Sequence, residues 1–171
     1  HTYRVAALCD RISAAAGLSS RDIDLAWLCG MLHDIGRFEQ VRRFDTFNDS
    51  ASVSHAALGV EILFEDGLLA KFLPPCPAAQ TTHQGESAPH ADVEILRTAI
   101  ETHSDFRLPE DLDPRTRTFC DILRDADKID ILKASCLEPP EAIFGSPEDQ
   151  MRTSPISPAV RKAFYEHRTV L

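Results

Sequence analysis

The sequence lacks the features that mark a membrane protein, a disulfide-bonded secreted domain or a nucleic-acid-binding protein. Its 171 residues contain no run of about eighteen apolar residues, so no membrane-spanning helix is predicted. The five cysteines include no Cys-x-x-Cys pair, and their odd number and wide spacing are unlike a disulfide framework. No basic run offsets the formal net charge of −9, which disfavours binding to nucleic acid or to an anionic membrane. We therefore expect a cytoplasmic protein.

Signals for β-structure and for two common kinds of catalysis are also missing. No window alternates apolar and polar residues as a half-buried strand would. No Gly-rich phosphate loop and no nucleophile elbow occurs, so P-loop chemistry and acyl transfer have no support. The sequence predicts an all-α protein whose chemistry depends on other groups.

Proline is absent from residues 1–73, and all eleven prolines follow this segment. Because proline interrupts helices, its clusters separate the segments with helical periodicity. The length and composition predict one domain over residues 1–171, with a motif-bearing core at 1–136 and a C-terminal loop and helix at 137–171. Segment 25–32 is apolar on every side and predicts a helix surrounded by protein, whereas 74–89 predicts a long loop. The predicted helices cover about 2–16, 54–66, 91–103, 114–136 and 158–167, and the helix that contains 25–32 is predicted to begin at a cap on Ser19 or Ser20 and to be closed by His33.

Polar residues on apolar helix faces are the most informative feature of the sequence. Four of the seven histidines, His1, His33, His55 and His103, share faces or ends with apolar side chains. Asp34 follows His33 at the end of the most apolar helix, where a buried carboxylate needs a partner. These positions predict polar groups that meet in the core.

A second inward carboxylate is predicted in helix 114–136, but periodicity leaves two alternatives. On a helical wheel centred on Ala126, Asp130 lies about 40° away and Asp127 about 100° away. The pattern alone makes Asp130 the more buried residue and does not decide which carboxylate joins the histidines.

A metal site explains this set better than packing does. A single histidine on an apolar face is usually a hydrogen-bonded core residue. Four histidines together with two inward carboxylates are different, because imidazole and carboxylate suit first-row transition metals. Helix bundles build such sites from side chains on several facing helices.

These residues resemble the HD-domain superfamily, which comprises all-helical, metal-dependent phosphohydrolases. His33-Asp34 is similar to the signature pair, and His1 to the first histidine of the motif. Asp127, which follows Ala126 and precedes a lysine, is similar to the closing aspartate. The resemblance covers about residues 1–136 and, unlike periodicity, selects Asp127 over Asp130.

His55 and His103 match the two additional histidines of the branch that binds two metals. The resemblance implies two divalent transition-metal ions, Fe, Mn or similar, with Zn, Ni, Co and Mg as alternatives. The implied ligands are His1, His33 and Asp127 for one ion and His55 and His103 for the other, with the two oxygens of Asp34 bridging them.

Two cations about 3.5 to 4 Å apart activate a shared water and hold phosphate oxygens during an in-line attack. The resemblance therefore implies hydrolysis of a phosphoester or phosphoanhydride by a metal-activated hydroxide. The expected substrate is a nucleotide or another small phosphorylated metabolite, with no nucleic-acid polymer and no membrane as partner. Two alternatives stay open: a two-iron oxygenase similar to myo-inositol oxygenase, and a non-catalytic, nucleotide-sensing HD domain.

Two basic residues are predicted to bind substrate. Arg37 lies three residues after the catalytic Asp34, where many relatives carry a basic residue facing the phosphate, and its guanidinium suits two phosphate oxygens. The alternative for Arg37 is an ion pair with Glu39 or Asp45. Lys128 is a weaker candidate, because it fits a solvated helix position equally well.

Overall fold

The computed structural model describes residues 1–71, 88–139, 141 and 147–168, and these residues contain helices and no strand. The predicted all-α class is confirmed. The helices are α1 (Thr2–Ala15), α2 (Ser20–Leu32), α3 (Gly36–Phe44), α4 (His55–Val60), α5 (Ala88–Thr102), α6 (Pro114–Leu137), α7 (Glu148–Thr153) and α8 (Pro158–Tyr165).

Local sequence explains most helix ends. Gly17, with a φ of 75°, follows α1 in the left-handed region that glycine tolerates. Ser19 and Ser54 cap α2 and α4 by accepting hydrogen bonds from backbone N–H groups three residues later. Beyond α4 the chain continues as a π-helical turn over Glu61–Glu65. A 3₁₀ turn, Leu68–Lys71, follows it.

Three predictions about the fold need correction. Helix α7, Glu148–Thr153, lies in the stretch before residue 158 that was predicted as loop, because six residues are too few to show a periodic pattern. Helix α3 was not predicted, because its buried positions are Gly36 and Gln40 and give no apolar stripe. Helix α2 is not surrounded by protein on every side, since Trp27 is 43% exposed. Its inner face instead consists of Leu25, Ala26, Cys29 and Gly30. The predicted loop 74–89 lies outside the described residues, apart from the first residues of α5.

The apolar core lies among α1, α2, α5, α6 and the π-helical turn. Its largest fully buried apolar side chains are Val5, Leu63, Leu96, Ile100, Phe119 and Leu123. Three free cysteines, Cys9, Cys29 and Cys120, are buried with them. Burial raises the pKa of the Cys9 thiol to about 12, so this side chain packs as a small neutral group.

Two glycines allow helices to approach closely at the inner ends of these elements. A Cβ atom on Gly30 would lie 2.7 Å from the Cα of Ala6, so α1 and α2 pack backbone to backbone. A Cβ atom on Gly36 would lie 2.0 Å from the carbonyl oxygen of His55. The start of α3 therefore rests directly on the start of α4.

The chain forms two compact units, His1–Ala134 and Ser135–Leu171. In the second unit Ser157 caps α8, and Ala163 is buried. The single domain with a motif-bearing core at 1–136 stays a prediction. Among the described residues, no helix has both the length and the apolar character needed to span a bilayer.

Candidate metal centre

Six predicted ligand side chains lie together, five of them at the ends of four helices and the sixth, Asp127, within a fifth helix. His1 precedes α1, His33 and Asp34 follow α2, His55 begins α4, His103 follows α5, and Asp127 lies within α6. Helix ends place polar side chains beside the apolar core without interrupting the packing of the helices themselves. The structure thus brings together the six residues that the sequence predicted as metal ligands.

One half of the centre consists of His1, His33 and Asp127. The Nε2 atom of His1 lies 3.1 Å from Oδ1 of Asp127, and Nε2 of His33 lies 3.7 Å from the same oxygen. One ligand atom from each of the three residues falls within 4.8 Å of the others. This spacing suits a single metal ion.

The other half contains His55 and His103, whose Nε2 atoms are 2.9 Å apart. Asp34 lies between the halves. Its Oδ2 is 3.6 Å from Nε2 of His1 and 3.4 Å from Nε2 of His33. Its Oδ1 is 3.4 Å from Nε2 of His55 and 3.9 Å from Nε2 of His103. Each carboxylate oxygen therefore faces a different pair of imidazoles.

All four imidazoles present the same nitrogen to the centre. Each Nε2 points inward, and each Nδ1 has an acceptor on the outside, so a ring that carries a single proton keeps it on Nδ1 and leaves its Nε2 lone pair for a cation. The outer acceptors are Oδ2 of Asp130 for His1 at 2.8 Å, the Gly30 carbonyl for His33 at 2.8 Å, Oδ2 of Asp49 for His55 at 2.7 Å and the Ile100 carbonyl for His103 at 2.6 Å.

The residues fit divalent metal ions on an observation independent of the motif. The Nε2 atom of His33 is buried and has no hydrogen-bond partner, which is costly for a polar atom unless another group satisfies it. Carboxylate oxygens and imidazole nitrogens surround it, and these ligands suit Zn, Fe, Mn and related metals.

Asp127 and Asp130 have different roles. Asp130 is 1% exposed and accepts hydrogen bonds from Nε of Arg4 at 2.6 Å and Nη2 of Arg4 at 2.9 Å, in addition to His1. Asp127 instead directs Oδ1 toward His1 and His33. The helical wheel correctly predicted Asp130 to be the more buried residue. Asp130 lies outside the centre, however, where it accepts a hydrogen bond from Nδ1 of His1.

The centre favours ionised carboxylates. Burial acts to raise the pKa of Asp34, but the neighbouring His33 and Arg37 hold it well below its usual range. The pKa of Asp127 is likewise depressed by His1 and His33 against the effect of burial. Metal ligands must be deprotonated, so these carboxylates are ready to bind a cation.

The histidines differ more widely in their proton affinity. Burial acts to lower the pKa of His33, but Asp127 and Asp34 outweigh it and raise that pKa to about 10. Burial, together with the charge of His33, lowers the pKa of His103 to about 4. A cation that binds His33 therefore takes the place of a proton, and its binding releases that proton.

Arg37 lies beside the centre and is already hydrogen-bonded. Its Nε is 3.3 Å from Oδ1 of Asp34, and its Nη1 is 2.9 Å from Oδ1 of Asp49. The alternative to phosphate binding, an ion pair with a surface carboxylate such as Glu39 or Asp45, holds in kind but with another partner: Arg37 pairs with Asp49, whose side chain is 36% exposed, while Glu39 pairs with Arg42 and Arg43. Its proposed contact with substrate stays a prediction.

Lys128 is exposed on α6, and its Nζ lies 3.5 Å from the carbonyl oxygen of Arg124. Burial, together with the charge of Arg124, lowers its pKa. Among the described residues, no hydrogen bond or ion pair joins Lys128 to a candidate ligand, so substrate binding by Lys128 also stays a prediction.

The centre is open on one side. The side chains of His1, Asp34 and Asp127 are 31%, 19% and 15% exposed, whereas those of His33 and His55 are at most 3% exposed. A substrate would approach the face formed by the first three residues.

Sequence reasoning missed the residues that support the ligands. Asp49 lies in the 3₁₀ turn Asp49–Ala51, where no periodic pattern reports on burial. Gln40 and Arg4 are polar residues on helices, and nothing in their spacing sets them apart. Asp130 was noticed through its position on the wheel, but its partner Arg4 was not.

Comparison with known proteins gives one finding. A family model described as HD domain matches residues 1–134. Comparisons with curated proteins and with solved structures gave no match. The matched span contains all six candidate ligands and ends where the first compact unit ends.

Proposed function

This chain belongs to the HD domain family, and we propose that it is a phosphohydrolase with two divalent metal ions that cleaves a phosphoester or phosphoanhydride of a nucleotide or another small phosphorylated metabolite. Membership of this family suggests a metal-dependent hydrolase. The presence of both histidine pairs argues against a degenerate, purely regulatory domain.

The observation that carries this proposal is the placement of Asp34. Its two oxygens face separate groups of imidazole nitrogens, at 3.4 Å from His33 on one side and 3.4 Å from His55 on the other. A carboxylate placed in this way is suited to bridge two cations. A one-metal site would have no need for inward-facing nitrogens on both sides of it.

The protein's side chains account for the charge and orientation that hydrolysis requires. When bound, two divalent ions supply a water of lowered pKa and neutralise charge on the reacting phosphate. Asp34 and Asp127 together carry fewer charges than two such ions, so the centre keeps a positive charge that favours an anionic substrate. Arg37, 28% exposed and next to Asp34, adds positive charge near the open side.

The test begins with elemental analysis of the full chain purified without chelator, followed by a screen of nucleotides and phosphorylated metabolites for phosphate release. We expect two metal ions per chain and turnover that a chelator abolishes. Asp34→Asn should lose both the ions and the activity. Asp121→Asn is the matched control, because Asp121 is an exposed residue of α6 that pairs only with Arg117 among the described residues.

Two outcomes would contradict the proposal. A single ion at saturating metal would replace the two-metal centre by a one-metal phosphatase. Two iron ions, no phosphate release from any compound and consumption of oxygen with a substrate would identify the oxygenase alternative instead.

A further inference from the structure

A hydrogen-bonded network connects α3 to the start of α4 just outside the candidate ligands. Gln40 is fully buried, and its amide nitrogen lies 2.8 Å from Oδ1 of Asp49. The same nitrogen lies 2.9 Å from Oγ of Ser52 and 3.0 Å from the carbonyl oxygen of Val53. One buried amide therefore fixes the segment between the two helices.

The carboxylate of Asp49 has partners on both oxygens. Its Oδ2 accepts a hydrogen bond from Nδ1 of His55 at 2.7 Å. Its Oδ1 accepts hydrogen bonds from the amide of Gln40 and from Nη1 of Arg37, which lies 2.9 Å away. With donors on both oxygens, the carboxylate has one orientation that satisfies all of them.

His55 needs a side chain of this kind because of its place in the fold. His33 and His103 follow their helices, and each donates Nδ1–H to the carbonyl three residues earlier, of Gly30 and Ile100 respectively. The helix itself orients those two rings. His55 is the first residue of α4, so no helical carbonyl precedes it, and an acceptor must come from elsewhere.

We propose that Asp49 is a positioning residue for the second metal position, formed by His55 and His103, and that Gln40 sets the orientation of Asp49. The inference rests on the proposed two-metal function. Asp49 holds the His55 ring in the tautomer and direction that present Nε2 to a cation, and Gln40 prevents Asp49 from turning to solvent. Carboxylate partners of metal-binding histidines contribute to metal affinity in this way.

The test is a calorimetric titration of the chelator-stripped full chain with Co²⁺, together with the visible absorption of the bound ion. Wild type should bind two Co²⁺ ions in distinguishable steps. Asp49→Ala should weaken one step about 10- to 100-fold and change the absorption of that ion, while the other step is retained. Asp49→Asn should recover part of the affinity, because its amide oxygen still accepts from Nδ1 of His55.

Variants of Gln40 test the second half of the proposal. Gln40→Met keeps the size of the side chain but loses every hydrogen bond, and it should weaken the same Co²⁺ step as Asp49→Ala. Should that variant not fold, Gln40→Glu serves instead, since it keeps the shape and places an oxygen against Oδ1 of Asp49. Glu39→Gln is the matched control on α3, where Glu39 pairs with Arg42 and Arg43 at the surface. It should leave both steps unchanged.

The outcomes separate this inference from the proposed function. Wild-type affinity at both positions in Asp49→Ala would overturn the inference while two ions in the wild type support the function. Equal weakening of both steps would show a general structural role and would also overturn it. A single Co²⁺ ion in the wild type would instead refute the two-metal function on which the inference rests.

Discussion

Substituting Gly36 by alanine tests whether the centre depends on the close approach of α3 and α4. Gly36 begins α3, two residues after Asp34, and a Cβ atom there would lie 2.0 Å from the His55 carbonyl oxygen and 2.6 Å from the Gly59 nitrogen. Both obstacles are backbone atoms, so no side-chain rotation relieves the clash. The two helix starts must move apart.

The structure gives the size of that movement. The 2.0 Å separation must open to at least 3.4 Å before the contact becomes ordinary. Metal sites tolerate deviations of about 0.2 Å in ligand distance, so a shift of this size at His55 should remove the second metal position. Overpacking costs about 1 to 3 kcal/mol, and a 2.0 Å contact with backbone belongs at the upper end of that range, so about 2 kcal/mol remains after the roughly 1 kcal/mol that alanine gains over glycine in a helix.

The assays are thermal unfolding and metal stoichiometry of the full chain. A cost of 1 kcal/mol lowers the Tm of a protein of this size by about 2 to 4 °C, so Gly36→Ala should lower it measurably and bind one ion in place of two. Gly59→Ala is the control, because the atom nearest to its Cβ would be Cγ2 of Ile100 at 3.4 Å and the Gly36 nitrogen would lie 3.7 Å away, so no backbone atom is in its way. That variant should keep both ions and a Tm close to that of the wild type. Two ions and an unchanged Tm in Gly36→Ala would refute the reasoning.

Three further predictions concern single groups of the centre. Asp127→Ala should empty the first metal position, whereas Asp130→Ala should chiefly lower the Tm of the chelator-stripped protein, because it removes the buried carboxylate that Arg4 and His1 contact; metal analysis of both variants and their unfolding without metal decide this. Arg37→Ala should lower kcat/KM about 10- to 100-fold with metal content unchanged, and Arg37→Lys should recover part of the loss, as measured with the phosphoester found in the screen. Chelator-stripped protein should lose stability as the pH rises from about 6.5 toward 10. The pKa of His33 is raised to about 10 in the folded state, so the proton that stabilises the fold is lost over that range. The measurement is the Tm of the metal-free protein as a function of pH.

Specific results would contradict each of these. An empty first position in Asp130→Ala with a filled one in Asp127→Ala would reverse the assigned roles. Normal kinetics with a lowered Tm in Arg37→Ala would make Arg37 a structural residue that serves Asp34 and Asp49. A constant Tm between pH 6.5 and 10 in metal-free protein would show that the His33 proton does not stabilise the fold.

The sequence predicted those parts of the fold that carry an apolar stripe. Helices α1, α2, α4, α5, α6 and α8 all bury such residues or begin at a clear cap, and their predicted ends fall close to the observed ones. Helix α3 has no comparable signal, because a glycine and a glutamine occupy its inner face. Its packing depends on backbone contact and a polar network, and neither of these produces a periodic pattern of apolar residues.

The candidate site shows the same division. Histidines on apolar faces were recognised because a polar residue stands out among apolar neighbours. The choice between Asp127 and Asp130 needed the family resemblance, since both carboxylates are close to the core and only their partners differ. Asp49 could not be found from sequence, because its role arises from a turn that reaches His55 only in the folded chain.

The origin of the six ligands in separate helices has a consequence for folding. His1 and Asp127 are in contact although they lie near opposite ends of the sequence of the first compact unit, so a fragment that lacks either end of residues 1–127 lacks a complete ligand set. Bound ions would act as cross-links that close long loops, and such links oppose unfolding by restricting the unfolded chain. At a free metal concentration of 100 Kd, each ion adds about 2.7 kcal/mol to the free energy of unfolding. Metal supply would then govern how long the protein resists proteolysis as well as how fast it turns over substrate.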